Sequence, residues 1–355
     1  MEGRILNSHL RVVDYAEHYH QRWSAFIDSI PEANLYHDIL WKSIFEKTFA
    51  FNSRYLICIG ILDDIYGILP LFEIKDMFGK IYLVSIPFFT VAGVCALNND
   101  VISKLLQRAK EIACSIRAQY VELRHLASRS IDGLLSRHSF ATMRLKLHAD
   151  ENIVWKDSLN DKARNQVRKA QRSGLDAIIG PDELEGFYKV YAQNMHDLGS
   201  PAMPLAFFQN MLVKFVGRCS VLVVKHKGKT IAGMFLVKHK TTMFNPFASS
   251  LKKYNFLCPN NLAYWEAIKM SCRNGLSYFD FGRSTIGTGP FKFKLQWGAI
   301  PENLSYQYSL CKTSQMPICD AINNRYDLAI KIWKRLPIWV TNYIGPKIVR
   351  YLPEL

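Results

Sequence analysis

Apolar positions along the chain change period several times, and the changes mark out two similar stretches. In the first, Ala16, Tyr19, Trp23, Phe26 and Ile30 recur at helical spacing within about 12–29, and a second amphipathic segment covers 38–49. RYLICIG (54–60), IYGILPLFEI (65–74) and a run from Lys80 then read as strands around a DD turn. A helix follows over about 99–117, where Leu105, Ala109 and Ile112 keep the period, and YVELRHL (120–126) closes the stretch as a strand. The same order returns later. Helices at about 182–198 and 204–215 precede the strands SVLVVKH (220–226), TIAGMFLVKH (230–239) and TTMFNPFAS (241–249). A helix at about 260–274 and the strand LSYFDFG (276–282) complete the second stretch. Each stretch is an antiparallel meander followed by a helix and one more strand, an α+β layout. Recurrence of common elements by chance accounts for this order as well as duplication does, until motifs are added.

Residues 81–99 carry no charge and approach the length of a membrane span. Ser85, Pro87, Thr90 and Gly93 interrupt them, so a short buried strand, IYLVSI, and a loop are expected instead. The N-terminus lacks the apolar core of a signal peptide, and a cytoplasmic location is expected.

Composition narrows the partners more than the fold. The 355 residues suit two domains, and 49% hydrophobic content can bury a core. A net charge of +15 favours an anionic partner: nucleic acid, a phosphate-bearing donor or an acidic membrane surface. The eight cysteines form no CxxC pair and the histidines no HExxH, so reduced thiols and no metal are expected. SLNDKARNQVRKAQRSG (158–174) reads as a helix between the stretches, with Ser158 and Asp161 as a capping box and Gly174 as its stop. Ala163, Val167 and Ala170 would face a core. Arg164, Arg168 and Arg172, flanked by Lys162 and Lys169, form a stripe that either contacts an anion or is simply solvated.

Candidate chemistry concentrates in FDFGRSTIGTGPFKFKLQWG (279–298). A strand delivers Asp280, and Gly282, Gly287 and Gly289 allow backbone N–H groups to converge on an anion, with Arg283, Lys292 and Lys294 alongside. A nucleotide P-loop is excluded because Thr288 follows Gly287 where a lysine is required. Asp280 could take a proton from an amine, although pairing with Arg283 is the commoner fate of such an acid. His196 is a second candidate base. Asn260 and Tyr264, at the start of a helix, could bond a substrate or merely cap and pack. Lys292 reads as a surface charge beside a turn. In the tail, residues 321–355 carry six Lys/Arg against two acids. Ile322, Tyr326, Ile330, Trp333 and Leu336 form an apolar stripe, and Trp333, Trp339 and Tyr343 suit either a docked terminal helix or a membrane interface.

PNNLAYWEAI (259–268), FDFGRS (279–284), GTG (287–289), FK (293–294) and WG (297–298) together resemble the signature of the FemAB-related GNAT proteins found with exosortase (PEP-CTERM) exopolysaccharide loci. KARNQVRKAQRSGL (162–175), LGSP (198–201), GILPL (67–71), FG (78–79), LVSIPF (83–88) and the tail LPIWVTNYIGPKIVRYLP (336–353) extend the likeness over nearly the whole chain. VAG at 91–93 departs from it, where relatives more often show an aromatic residue and two glycines. The resemblance implies a tandem GNAT fold: a first half over 1–150, a second half with the active-site motifs over 151–315, and a helical tail over 316–355. It further implies an N-acyltransferase that moves an acyl or aminoacyl group from acyl-CoA, or from an aminoacyl-tRNA as in the cell-wall branch, to an amine on a cell-envelope or exopolysaccharide precursor. DNA is not among the implied partners. The FKxxWG motif places Lys294 in the substrate cleft, with Arg283 and Asp280 as its catalytic company. Gly282, Ser284, Gly287, Gly289, Asn260, Tyr264, Arg164 and Arg168 are the candidates for holding donor or substrate. A lipid-linked acceptor would bring the protein to the inner face of the membrane. An RNA-binding protein using the 164–172 stripe and an inactive scaffold are the competing classes.

Overall fold

Pattern and structure first part at RVVD. Arg11–Asp14 is strand β1 rather than the start of a helix, and the first helix, α1, begins only at His20 and ends at Ser29. The computed structural model describes residues 9–314, 316 and 327–352. The chain divides into two units. One comprises Met1–Ser139, Asn303–Cys319 and Arg350–Leu355, the other Phe140–Glu302 and Asp320–Val349. The division therefore falls at Ser139 rather than 150, and the segment from Asn303 returns to the first unit.

In the first unit α1 buries Trp23, Phe26 and Ile27, and α2 (Leu40–Phe49) buries Trp41, Ile44, Phe45 and Phe49. After β2 (Asn52–Ser53) and β3 (Leu56–Ile59), the expected strand 65–74 is two strands, β4 (Ile65–Leu69) and β5 (Phe72–Lys75), broken at Pro70. Proline has no N–H for a ladder. The break sends β4 to β3, and β5 to β2 and to β6 (Ile81–Val84). β7 (Cys95–Ala96) closes a four-stranded sheet in the order β1-β3-β4-β7. The uncharged stretch 81–99 is thus strand, loop and strand, and no helix among the described residues is long and apolar enough to cross a membrane.

Helix α3 (Asn99–Ser115) starts where the Asn98 side chain accepts the Val101 N–H at 3.0 Å. Its stripe Val101, Leu105, Ala109 and Ile112 packs with Leu56, Leu69 and Leu83. β8 (Tyr120–Leu126) runs parallel to β6, and both β8 and β9 (Leu135–Arg137) pair antiparallel with the strand Ile300–Leu310.

The second unit opens with β10 (Phe140–Lys146), and its helix α4 spans Asp161–Arg172. The cap of α4 is Asn160, whose side chain accepts the Ala163 N–H at 2.9 Å, not Ser158. Then come β11 (Leu175–Ile179), α5 (Leu184–Leu198), α6 (Leu205–Lys214), β12 (Cys219–His226), β13 (Lys229–His239) and β14 (Thr242–Ser250). Helix α7 (Pro259–Arg273), β15 (Tyr278–Thr285) and α8 (Gly289–Leu295) follow. The strands lie in the order β11-β12-β13-β14-β15-β10, with β14 and β15 parallel. Ala163, Val167 and Ala170 of α4 join Leu262 and Ile268 of α7 and Met234 and Leu236 of β13 in one core. Phe187 and Phe208, from α5 and α6, pack with Phe235 and Phe247 of the sheet. Two short helices, α9 (Asp327–Trp333) and α10 (Ile338–Ile348), complete the unit. The expected tail residues Ile322 and Tyr326 lie outside the described residues.

Candidate active site

β14 and β15 stay in register only from Thr242 to Phe244, opposite Tyr278 to Asp280. One step beyond that last pair the sequence reaches Phe281-Gly282, and there β15 bulges. Thr142 of β10 faces Arg283 and Arg144 faces Asp280, so two residues of β15 stand against Met143 alone. Gly282 supplies the left-handed backbone (φ 73°) that such a bulge needs. The extra residue resets the alternation of the strand. Asp280, Arg283, Thr142 and Arg144 share one face, while Phe279, Phe281 and Met143 point into the core. Simple alternation would have put Asp280 and Arg283 on opposite faces.

The Asp280 carboxylate is buried and accepts hydrogen bonds from Thr142 Oγ1 (2.9 Å) and from the Gly282 N–H (2.7 Å). Burial raises its pKa above the ordinary carboxylate value, against the opposing pull of the Gly282 N–H, Arg144, Thr142 and Lys294. The cations that act on it are thus Arg144 and Lys294, whereas the Arg283 guanidinium lies 4.9 Å over the ring of Phe140. Arg144 in turn reaches Glu302 at 3.4 Å.

Lys294 turns inward from α8. Its Nζ donates to the carbonyls of Gly282 (2.9 Å) and Arg283 (3.0 Å), so the lysine ties α8 across the bulge. Burial pulls its pKa down to about 8; Asp280 works against that shift and Arg283 adds to it. At neutral pH the lysine is therefore charged, but only narrowly. The far end of this segment is fixed too. Trp297 is fully buried against Tyr264 and Phe293, and a Cβ on Gly298 would stand 2.6 Å from the Ser158 carbonyl oxygen.

The remaining candidates separate by what they touch. The Ser284 Oγ is buried with no hydrogen-bond partner among the described residues. Gly287 and Gly289 lie exposed at the loop tip, with nothing within 4 Å of a Cβ at either. Asn260 donates to Ser250 Oγ at 2.9 Å, a tie from the first turn of α7 to the end of β14 and not a helix cap. Tyr264 is a core residue packed on Phe281 and Trp297, its phenol pushed well up by burial against the effect of the Asn245 side chain. The basic stripe divides. Arg164 is spent on the carbonyls of Trp155 (3.2 Å) and Lys156 (2.8 Å) and on Asp161 (2.7 Å). Arg168, Lys162, Lys169 and Arg172 remain exposed, with Arg168 lying 5.5 Å over the Trp155 ring. His196 bonds the Leu336 carbonyl through Nε2 at 2.9 Å, a tail contact rather than a base near Asp280. Lys292 is exposed.

Thr142, Arg144 and Asn245 were not foreseen. Asn245 follows the last β14–β15 pair, and its Oδ1 is buried without a hydrogen bond among the described residues. Nothing near 142 or 245 in the sequence resembles a motif; strand pairing alone brings them to the site. Among the described residues no three His, Cys, Asp or Glu side chains gather as metal ligands. A cavity of about 310 Å³ in the first unit is lined by Asn52, Glu73 and Lys75, but Glu73 is already bonded to Asn52 and Arg54.

A parallel pair thus parts at a buried acid and is closed by a helix carrying a buried lysine, and the comparisons say which class of domain holds this arrangement. The model of the acetyltransferase (GNAT) domain family matches residues 160–295. Among solved structures, FemX superposes with a TM-score of 0.66 at 14% identity, covering 85% of this chain and 98% of that one. A tandem GNAT protein from the clavulanic acid biosynthesis pathway gives 0.57 at 12% identity, over 86% of this chain and 100% of that one. L-PGS from Bacillus licheniformis gives 0.55 at 10% identity, over 92% and 96%. At such identities the structural likenesses establish the fold. No match is found among curated proteins. The fold is a tandem GNAT fold, and residues 160–295 carry an acetyltransferase (GNAT) domain.

Proposed function

We propose that this acyltransferase passes an acyl or aminoacyl group from an activated donor to an amine on a cell-envelope or exopolysaccharide precursor, at the inner face of the membrane where lipid-linked acceptors sit. The observation that carries the reading is Lys294. It is a buried cation inside the matched domain, and it holds the β15 bulge that turns Arg283 to the face that carries Asp280. In the reaction the amine nitrogen attacks the donor carbonyl carbon, a C–N bond forms, and the thioester or ester bond of the donor breaks. Negative charge gathers on the carbonyl oxygen in between, where a preorganised cation is worth most. Lys294 and Arg283 supply that charge. Asp280, its pKa raised by burial, takes the amine proton. Ser284, Gly287 and Gly289 line the approach of the donor, and Gly289 leaves the loop tip open.

Two donors fit a cationic site, and the exposed row Lys162, Arg168, Lys169 and Arg172 favours the larger polyanion, an aminoacyl-tRNA, as the second reading beside acyl-CoA. Isothermal titration of the full chain with acetyl-CoA, longer acyl-CoAs and a charged tRNA separates them. One class should bind, and Lys294→Ala should weaken it. An R168A/R172A variant should lose tRNA binding and leave CoA binding intact. A folded protein that binds none of the three would remove the proposal.

A further inference from the structure

We infer that the outward face of α9 and α10 is a docking surface for an anionic lipid membrane. The two helices are held to the second unit by one set of residues and present another. Ile330 packs beside Gly199, Trp333 beside Gly345, and Gly345 lies against Pro201 and Ala202, while Thr341 is buried and the Leu336 carbonyl meets His196. That is the docked terminal helix considered from the sequence, and it places Trp333 on the inside.

The outward residues take no part in this packing. Leu328 and Ile332, one turn apart on α9, are 70% and 53% exposed, and Trp339 and Tyr343, one turn apart on α10, are 72% and 66% exposed. Large apolar side chains repeated on the solvent side of two successive helices are costly to leave in water, and Trp and Tyr are suited to the headgroup layer. Exposed cations surround them: Lys331, Lys334, Arg335 and Lys347. Lys347 Nζ lies 3.6 Å from the Tyr343 ring centroid, which sets charge directly beside the aromatic. Against these, Asp327 is the one acid among the described residues from 327 to 352. A second copy of the chain docked on the same face would set these cations against their own counterparts. A leaflet carrying negative headgroups meets both the apolar residues and the charge. The contact is peripheral, since neither helix approaches the length of a span. It does not depend on which donor the transferase uses.

Flotation of the full chain with vesicles tests it. The protein should rise with phosphatidylcholine vesicles containing phosphatidylglycerol, stay behind with phosphatidylcholine alone, and detach as salt is raised. The W339A/Y343A variant should lose binding about tenfold or more, and K331E/K347E likewise, with melting temperatures unchanged because all four side chains are exposed. Absence of flotation at low salt overturns the inference, as does flotation that neither variant weakens. A dimer by light scattering that W339A/Y343A dissolves, without flotation, also overturns it and assigns the face to a second copy. Donor titration of the same preparations keeps this outcome separate from the fate of the proposed transferase activity.

Discussion

Glu122 and Asp280 hold the same place in the plan of the two halves, and the halves treat them in opposite ways. Each is the last register partner of a parallel strand pair, Val84 with Glu122 and Phe244 with Asp280, reached after a meander and a helix. Two residues further on, the first half has Arg124. Its Nε donates to Glu122 at 2.7 Å, its Nη1 donates to the Phe89 carbonyl at 2.7 Å, and its guanidinium lies 5.0 Å over Tyr306, all of it buried. The second half has Gly282 there, a bulge instead of a side chain, and its cation arrives from a separate helix and bonds backbone rather than the acid. An ion pair closed on itself has no capacity left for a ligand. A cation that only bonds carbonyls keeps its charge available. The first copy spends the position on a closed internal pair, and the second leaves acid and cation bonded to different groups.

The difference breaks most sharply at Arg124. Burial alone would lower the pKa of its guanidinium, and Glu122 more than reverses that, raising it. Arg124→Gly imitates the second half and strands the Glu122 charge, so urea unfolding should show a loss of about 3–5 kcal/mol. A loss below 1 kcal/mol would mean that the pair is not structural. The counterpart is Lys294→Ala, for which transfer should fall about a hundredfold or more while the protein stays folded, with a lower melting temperature from the loss of its two bonds to the Gly282 and Arg283 carbonyls. Because the Lys294 pKa is lowered to about 8, its charged form is lost as pH rises through that value, and a lysine acting by its charge gives activity that declines above pH 8. Lys294→Arg should abolish that decline; a rate that instead climbs through pH 8 in the wild type alone would make the lysine a base.

The smallest effect concerns His125, which accepts the Val94 N–H at 2.8 Å under the 91–93 loop that departs from the family pattern, and faces Gln307. Burial lowers its pKa to about 4 from 6.5, and the bond to Gln307 only partly offsets this. The unfolded chain therefore binds the extra proton between those values. Stability is fully present above pH 6.5 and declines as pH falls toward 4, by no more than about 3 kcal/mol. A His125→Gln chain should start less stable at neutral pH and show a flatter profile over that window, read by thermal melts across pH.

The order of elements was legible because helical and strand periods are local, and FDFGRS…FK…WG brought the candidate site into view because its residues are close in sequence. What escaped was non-local. Thr142 and Asp280 are brought together by strand pairing across 138 residues, and no spacing encodes that. Gly282 was visible as a glycine, but the bulge that turns Arg283 to the side of Asp280 depends on β10 as well. Arg164 showed the opposite failure. Its place in a regular stripe suggested an anion contact, yet carbonyls of the π-helical turn Val154–Ser158 had already claimed it. At 11–14 a few apolar residues compatible with either period were decided by β3.

The fastening at Gly298 sets a limit on how this enzyme can diversify. The chain is pinned there against Ser158, and next to it the Asn160 N–H bonds the Gln296 carbonyl at 3.0 Å, while Lys294 holds the other side of the same short span. Between those rivets no residue can be gained or lost without lifting the lysine off the strand. The tip at 286–289 is exposed, with open space around Gly287 and Gly289, so changes of length and side chain meet least resistance there.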